Sequence, residues 1–106
     1  MVRAWRLVFM ACIALACCPG PDPARAAGDR AFGEYLSSEC VTCHRVGVQS
    51  QIPSIAGLPP AAFVQLLNEY RLKRRANPIM QTIASRLSDD EMAALAEYFG
   101  SLAAQR

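Results

Sequence analysis

Cys40-Val41-Thr42-Cys43-His44 holds the only histidine of this chain and two of its five cysteines. No arrangement in the sequence restricts the possible structures more. A zinc site would need about four ligands, usually with further Cys or His residues downstream, and none follow His44. A thioredoxin-like pair requires a βαβ setting, and no segment reads convincingly as a strand. A disulfide between Cys40 and Cys43 would close a loop too small to stabilise a domain much. Covalent haem attachment remains. In that arrangement two thiols form thioethers with the haem vinyl groups and the adjacent imidazole binds iron from one face. One helical turn suits this chemistry, because it sets both sulfurs along one porphyrin edge.

The other cysteines, Cys12, Cys17 and Cys18, belong to a different kind of segment. Arg3 and Arg6 precede an uncharged run from Leu7 to Cys18. That run falls short of the roughly 20 residues that span a bilayer, and it has the layout of a secretory signal. Pro19 and Gly20 interrupt it, and Ala24-Arg25-Ala26 offers a cleavage site before Ala27. The expectation is a signal peptide over residues 1–26 and one domain over 27–106 of the 106-residue chain, with a retained anchor as the alternative. Cleavage would remove Arg3, Arg6 and Arg25 from 11 basic residues and Asp22 from nine acidic ones, leaving eight of each. A formally neutral exported chain is not a basic nucleic-acid binder. Its predicted location is the periplasm. So short a chain buries a modest core, and a bound haem would supply an apolar centre for it.

The patterning predicts helices throughout. Phe32, Leu36 and Cys40 recur at four-residue spacing within a first helix expected over Ala27–Cys43, with Asp29 near its start. Gly33 inside that helix reads equally as a point of close approach or as a tolerated glycine. Arg45 to Gly57 reads as a loop. A second helix begins at Pro59 or Pro60, with Phe63, Leu66, Leu67 and Tyr70 as its apolar stripe. Asn77-Pro78 marks a turn, and a short helix is expected over Gln81–Arg86. Ser88 with Glu91 three residues on is a capping box. It opens a last helix with Met92, Leu95, Ala96, Phe99 and Leu102 on one face.

A haem held by His44 needs a second axial group, and Met80, Met92, a tyrosine or a lysine are the candidates. Met92 lies on the packed face of the capped helix. Met80 follows Pro78 in the expected turn, where a loop methionine can point inward, so Met80 is the predicted ligand. His/Met ligation raises the reduction potential and leaves no open iron position. That is suited to electron transfer rather than oxygen chemistry.

With these motifs together, the chain resembles a class I c-type cytochrome over essentially all of residues 28–102. The likeness rests on the C-x-x-C-H, Ile52-Pro53-Ser54-Ile55-Ala56-Gly57, Asn77-Pro78-Ile79-Met80 and an aromatic-ended terminal helix. Phe63 through Tyr70, Arg74-Arg75, Leu87 to Glu91 and Leu95 to Phe99 make it especially similar to the monohaem cytochrome subunits of flavocytochrome c sulfide dehydrogenases and to cytochrome c4 and c553 types. The resemblance implies a small all-α fold of three to four helices around one haem c. It implies that Gly33 and the Tyr98/Phe99 aromatics mark a crossing of the first and last helices, and that the Pro53 carbonyl fixes the His44 ring. Two positions depart from the pattern: Arg45 follows the histidine where many relatives have glycine, and the only tryptophan, Trp5, lies in the expected signal. Tyr70, Arg74, Arg75 and Asn77 are then the candidates to meet the haem propionates.

The sequence thus predicts an exported monohaem cytochrome passing single electrons between redox proteins. Rival readings are a dedicated subunit of a periplasmic flavoprotein oxidoreductase such as sulfide dehydrogenase, and a haem enzyme or gas sensor with a displaceable Met80. The run Arg71, Lys73, Arg74 and Arg75 reads either as a solvated face or as a cluster beside the haem that balances the propionates or steers an acidic partner.

Overall fold

Small residues determine how the first and last helices meet. The computed structural model describes residues 20, 28–45, 47 and 51–104. Apart from Gly20, the expected signal segment and its cleavage site lie outside the described residues. Among the described residues there are four helices and no strand: α1 (Arg30–Val41), α2 (Pro60–Arg71), α3 (Pro78–Ser85) and α4 (Asp89–Ser101). No helix among them is long and apolar enough to cross a membrane.

The Asp29 carboxylate caps α1, accepting from the Ala31 and Phe32 N–H groups at 2.9 and 3.2 Å. That cap fixes the start of the helix three residues later than the apolar pattern suggested. α1 crosses α4 at Gly33. A Cβ there would lie 1.9 Å from the Ala94 carbonyl oxygen and 2.9 Å from Tyr98 Cβ, so only glycine fits. The close-approach reading of Gly33 therefore holds, as does the crossing beside Tyr98.

α4 is the spine of the molecule. Glu91 N–H donates to Ser88 Oγ at 3.2 Å and Ser88 N–H donates to Glu91 Oε2 at 2.8 Å, a complete capping box. Asp89, Asp90 and Glu91 fill its first turn, where the helix dipole favours negative charge. Its Met92, Leu95, Ala96 and Phe99 are buried and form the core with Phe63 and Leu67 of α2 and Ala84 of α3. Phe63 stacks on Phe99 with ring centroids 5.7 Å apart.

α2 starts with Pro60 in the first turn, where the missing N–H costs nothing. It packs on α4 and on α3, whereas α1 makes no close backbone approach to α2 or α3. A gap is left between α1 and the α2–α3 pair.

The third helix corrects the sequence reading. It begins at Pro78 rather than Gln81, because Asn77 is its N-cap and accepts from the Met80 N–H at 3.0 Å. An Asn-Pro pair signals a helix start as well as a turn. Met80 therefore sits in the first turn of a helix and not in a loop.

Candidate functional site

The end of α1 keeps the cysteine motif coiled. Cys43 N–H and His44 N–H both donate to the Cys40 carbonyl, at 3.2 and 2.8 Å, and Thr42 Oγ1 donates to the Ser38 carbonyl at 3.0 Å. Cys40 and His44 are half-buried and Cys43 is exposed. Both cysteines are free thiols rather than a disulfide. Burial, and then the neighbouring Glu39 carboxylate, push the Cys40 thiol up, which favours the neutral thiol over the thiolate.

His44 Nδ1 lies 2.6 Å from the Pro53 carbonyl oxygen. A carbonyl only accepts, so Nδ1 carries the proton and the Nε2 lone pair is left for a ligand. This is the way a second partner fixes a ligating imidazole. The loop that brings Pro53 across is anchored at its far end, where Gly57 (φ 78°) donates its N–H to the Phe99 carbonyl at 2.8 Å.

The gap between α1 and α2–α3 is a cavity of about 360 Å³, within the size range of cofactor sites. Cys40, Cys43, His44 and Pro53 line one part of it. Phe63, Leu66, Leu67 and Tyr70 of α2 and Ile79, Met80 and Ile83 of α3 line the rest, with Leu95 of α4 also reaching it. A second recess of about 450 Å³ shares Glu39, Cys40, Ile83, Leu87 and Leu95 with the first. Met92 borders neither and is fully buried in the core. An apolar cavity with two thiols, an imidazole of fixed tautomer and a thioether on its walls fits a covalently held haem.

The match to known proteins agrees. Residues 26–103 match the cytochrome c family. The chain belongs to that family. It is 33% identical over 86 residues to the cytochrome subunit of sulfide dehydrogenase from Chlorobaculum tepidum, covering 79% of this chain and 78% of that protein. It is 39% identical over 61 residues to the thiosulfate dehydrogenase electron acceptor of Stutzerimonas stutzeri, covering 54% of this chain and 28% of that longer protein. Covalent haem c is the family's cofactor, and electron transfer is the function of this class I monohaem cytochrome.

The structure divides the basic run of the cytochrome. Arg71 donates to the Leu87 carbonyl at 3.3 Å, to Asn68 and to Asp89 at 2.7 Å. It ties the end of α2 to the start of α4, a structural role that charge counting did not show. Arg75 lies over the Tyr70 ring, 5.4 Å from its centroid, and reaches the cavity wall. Tyr70, and further Glu69 at 3.9 Å, raise its pKa against the opposing effect of desolvation. Of the four propionate candidates, Tyr70 and Arg75 line the cavity, whereas Arg74 and Asn77 do not.

Proposed function

We propose that Cys40 and Cys43 would hold the haem of this cytochrome through thioethers and that His44 Nε2 and the Met80 sulfur would bind its iron. The single observation behind this reading is that one cavity is lined by both thiols, by His44 and by Met80. Bound there, the haem supplies a one-electron iron couple. The Pro53 carbonyl holds the His44 ring in its ligating tautomer, and the Asn77 cap holds the helix turn that presents Met80. Phe63, Leu66 and Leu67 exclude water, which favours the less charged ferrous state. Arg75, supported on Tyr70, supplies the positive charge at the cavity wall for the haem carboxylates. If His44 and Met80 both bind the iron, the reduced protein should not bind carbon monoxide, whereas Met80→Ala should. Rapid binding to the unmodified protein would instead favour the gas sensor or enzyme.

The electron donor in this proposal is a dehydrogenase of reduced sulfur compounds. Both relatives carry names that tie them to such an enzyme, one as a subunit and one as an electron acceptor. Sulfide dehydrogenase, a flavoprotein, is the first candidate, because its cytochrome subunit matches this chain over most of both lengths. Whether the chain is a free carrier or a subunit is decided by purification from the native host: a stoichiometric flavoprotein partner identifies the subunit. The proposed location is the periplasm, reached through the signal segment of residues 1–26 and its removal.

A further inference from the structure

α3 presents Met80 but has little of the fold behind it. Its backbone approaches α2 closely, and neither α1 nor α4. Of its residues only Ala84 is buried, and Ile79 in its first turn is exposed. A helix this short is not stable alone in water. Its placement therefore depends on the two links that join it to its neighbours, residues 72–77 before it and 86–88 after it.

The two links are held in different ways. The first is closed locally: Gln81 Nε2 donates to the Arg75 carbonyl at 2.8 Å, and Asn77 caps the helix. The second is closed from a distance. Arg71, the last residue of α2, donates from Nη1 to the Leu87 carbonyl at 3.3 Å and from Nη2 to Asp89 at 2.7 Å. Asn68, one turn earlier on α2, accepts from the same Nη2 and fixes the direction of the guanidinium. Leu87 lies 16 residues further along the chain, so the fork closes a loop whose middle is the Met80 helix. Leu87 also lines the cavity. Among the described residues, no other side-chain hydrogen bond or ion pair joins α2 to residues 86–89. The Asp89 side chain is 85% exposed and that of Arg71 30%, so the ion pair adds little. The bond from the charged donor to the Leu87 carbonyl is the stronger part of the tie.

We propose that Arg71 is the positioning residue for Met80. By tying the end of α2 to the link after α3, it keeps α3 against the cavity and sets how firmly Met80 holds the iron. The inference rests on the axial ligation given under the proposed function. Its physical content is a local opening: a foreign ligand reaches the iron only in the fraction of molecules in which Met80 has moved away, and its apparent affinity scales with that fraction.

Imidazole, used as a neutral ligand at mildly alkaline pH, reads that fraction by optical titration of the haem-loaded ferric protein. Arg71→Gln should tighten imidazole binding by roughly tenfold, the scale of one hydrogen bond from a charged donor. Met80→Ala should itself bind imidazole more tightly than the parent. In that background Arg71→Gln should change the affinity no further, because no thioether is left to displace, and the cycle of the four proteins isolates the coupling. Asp29→Ala removes the cap of α1 and lowers stability without touching the loop around α3, so its imidazole affinity should stay at the parent value. Hydrogen exchange read by mass spectrometry should show faster exchange over residues 79–86 in Arg71→Gln and unchanged exchange in α1. Arg71→Lys keeps the charge but not the planar fork. It should lie between the parent and Arg71→Gln, and it decides the matter if the glutamine variant does not fold.

An imidazole affinity that neither substitution of Arg71 alters would overturn the positioning role while the axial ligation stands. So would an equal rise in Asp29→Ala, or an equal effect of Arg71→Gln with and without Met80. An affinity that Met80→Ala leaves unchanged would remove Met80 as the ligand, and this inference with it.

Discussion

Met80 and Met92 have the same side chain in two different settings. Met80 is half-buried on the cavity wall, and Met92 is fully buried under the packed face of α4. Met80→Ala should therefore abolish the weak ferric charge-transfer band of a thioether-bound haem and lower the midpoint potential. Its cost in stability comes on top of that through loss of the ligand. Met92→Ala should keep the band and lower unfolding free energy by about 2–5 kcal/mol, the usual cost of emptying a core methionine site. Optical titration and denaturant melts of the two variants separate the roles. At this scale the chemistry was legible in the sequence, because a covalent motif is fixed by spacing alone. The partition of the basic run was not. Arg71 finds Asp89 18 residues away, a contact set by the packing of helix ends, whereas Lys73 and Arg74 are left free.

The elements were legible where their caps were local. Ser88 and Glu91 are three residues apart and form the predicted box; Ser88→Ala should cost about 1 kcal/mol in a thermal melt. Asn77 caps three residues ahead in the same way, but Asn-Pro also marks turns, and the short helix was expected to begin too late. The end of α2 is a Schellman motif: Lys73 N–H donates to the Tyr70 carbonyl at 3.0 Å and Arg74 N–H to the Glu69 carbonyl at 2.8 Å. The residue that such a motif places in the left-handed conformation is usually glycine. Lys73→Gly should raise stability by about 0.5–1 kcal/mol, seen as a higher denaturant midpoint with an unchanged slope. Gly33→Ala should have the opposite effect. Its new methyl group meets the Ala94 carbonyl, and forced overpacking of this kind costs about 3 kcal/mol. A Gly33→Ala protein as stable as the parent would remove the helix crossing from the account.

Across the whole molecule, α4 supports α1 on one side and α2 on the other, and the space between those supports is the cavity proposed to hold the haem. A small domain with so large an apolar cavity depends on what fills it. Replacing Cys40 and Cys43 with serine should leave a chain that lacks a cooperative melt or unfolds at a much lower temperature, as followed by circular dichroism. The overall helical class and the relation to cytochromes could be read from periodicity and motifs. The shape of the gap could not, since it follows from how α1 and α2 lean on α4 and α3 leans on α2. The thiols at one edge of this gap are proposed to carry haem covalently. The most direct test is acid–acetone extraction of the purified, coloured protein, followed by mass analysis of the peptide spanning Cys40 to His44. The haem should stay with the denatured polypeptide, and this peptide should carry one haem through both sulfurs. Haem that passes into the solvent, leaving Cys40 and Cys43 as unmodified thiols, would contradict it.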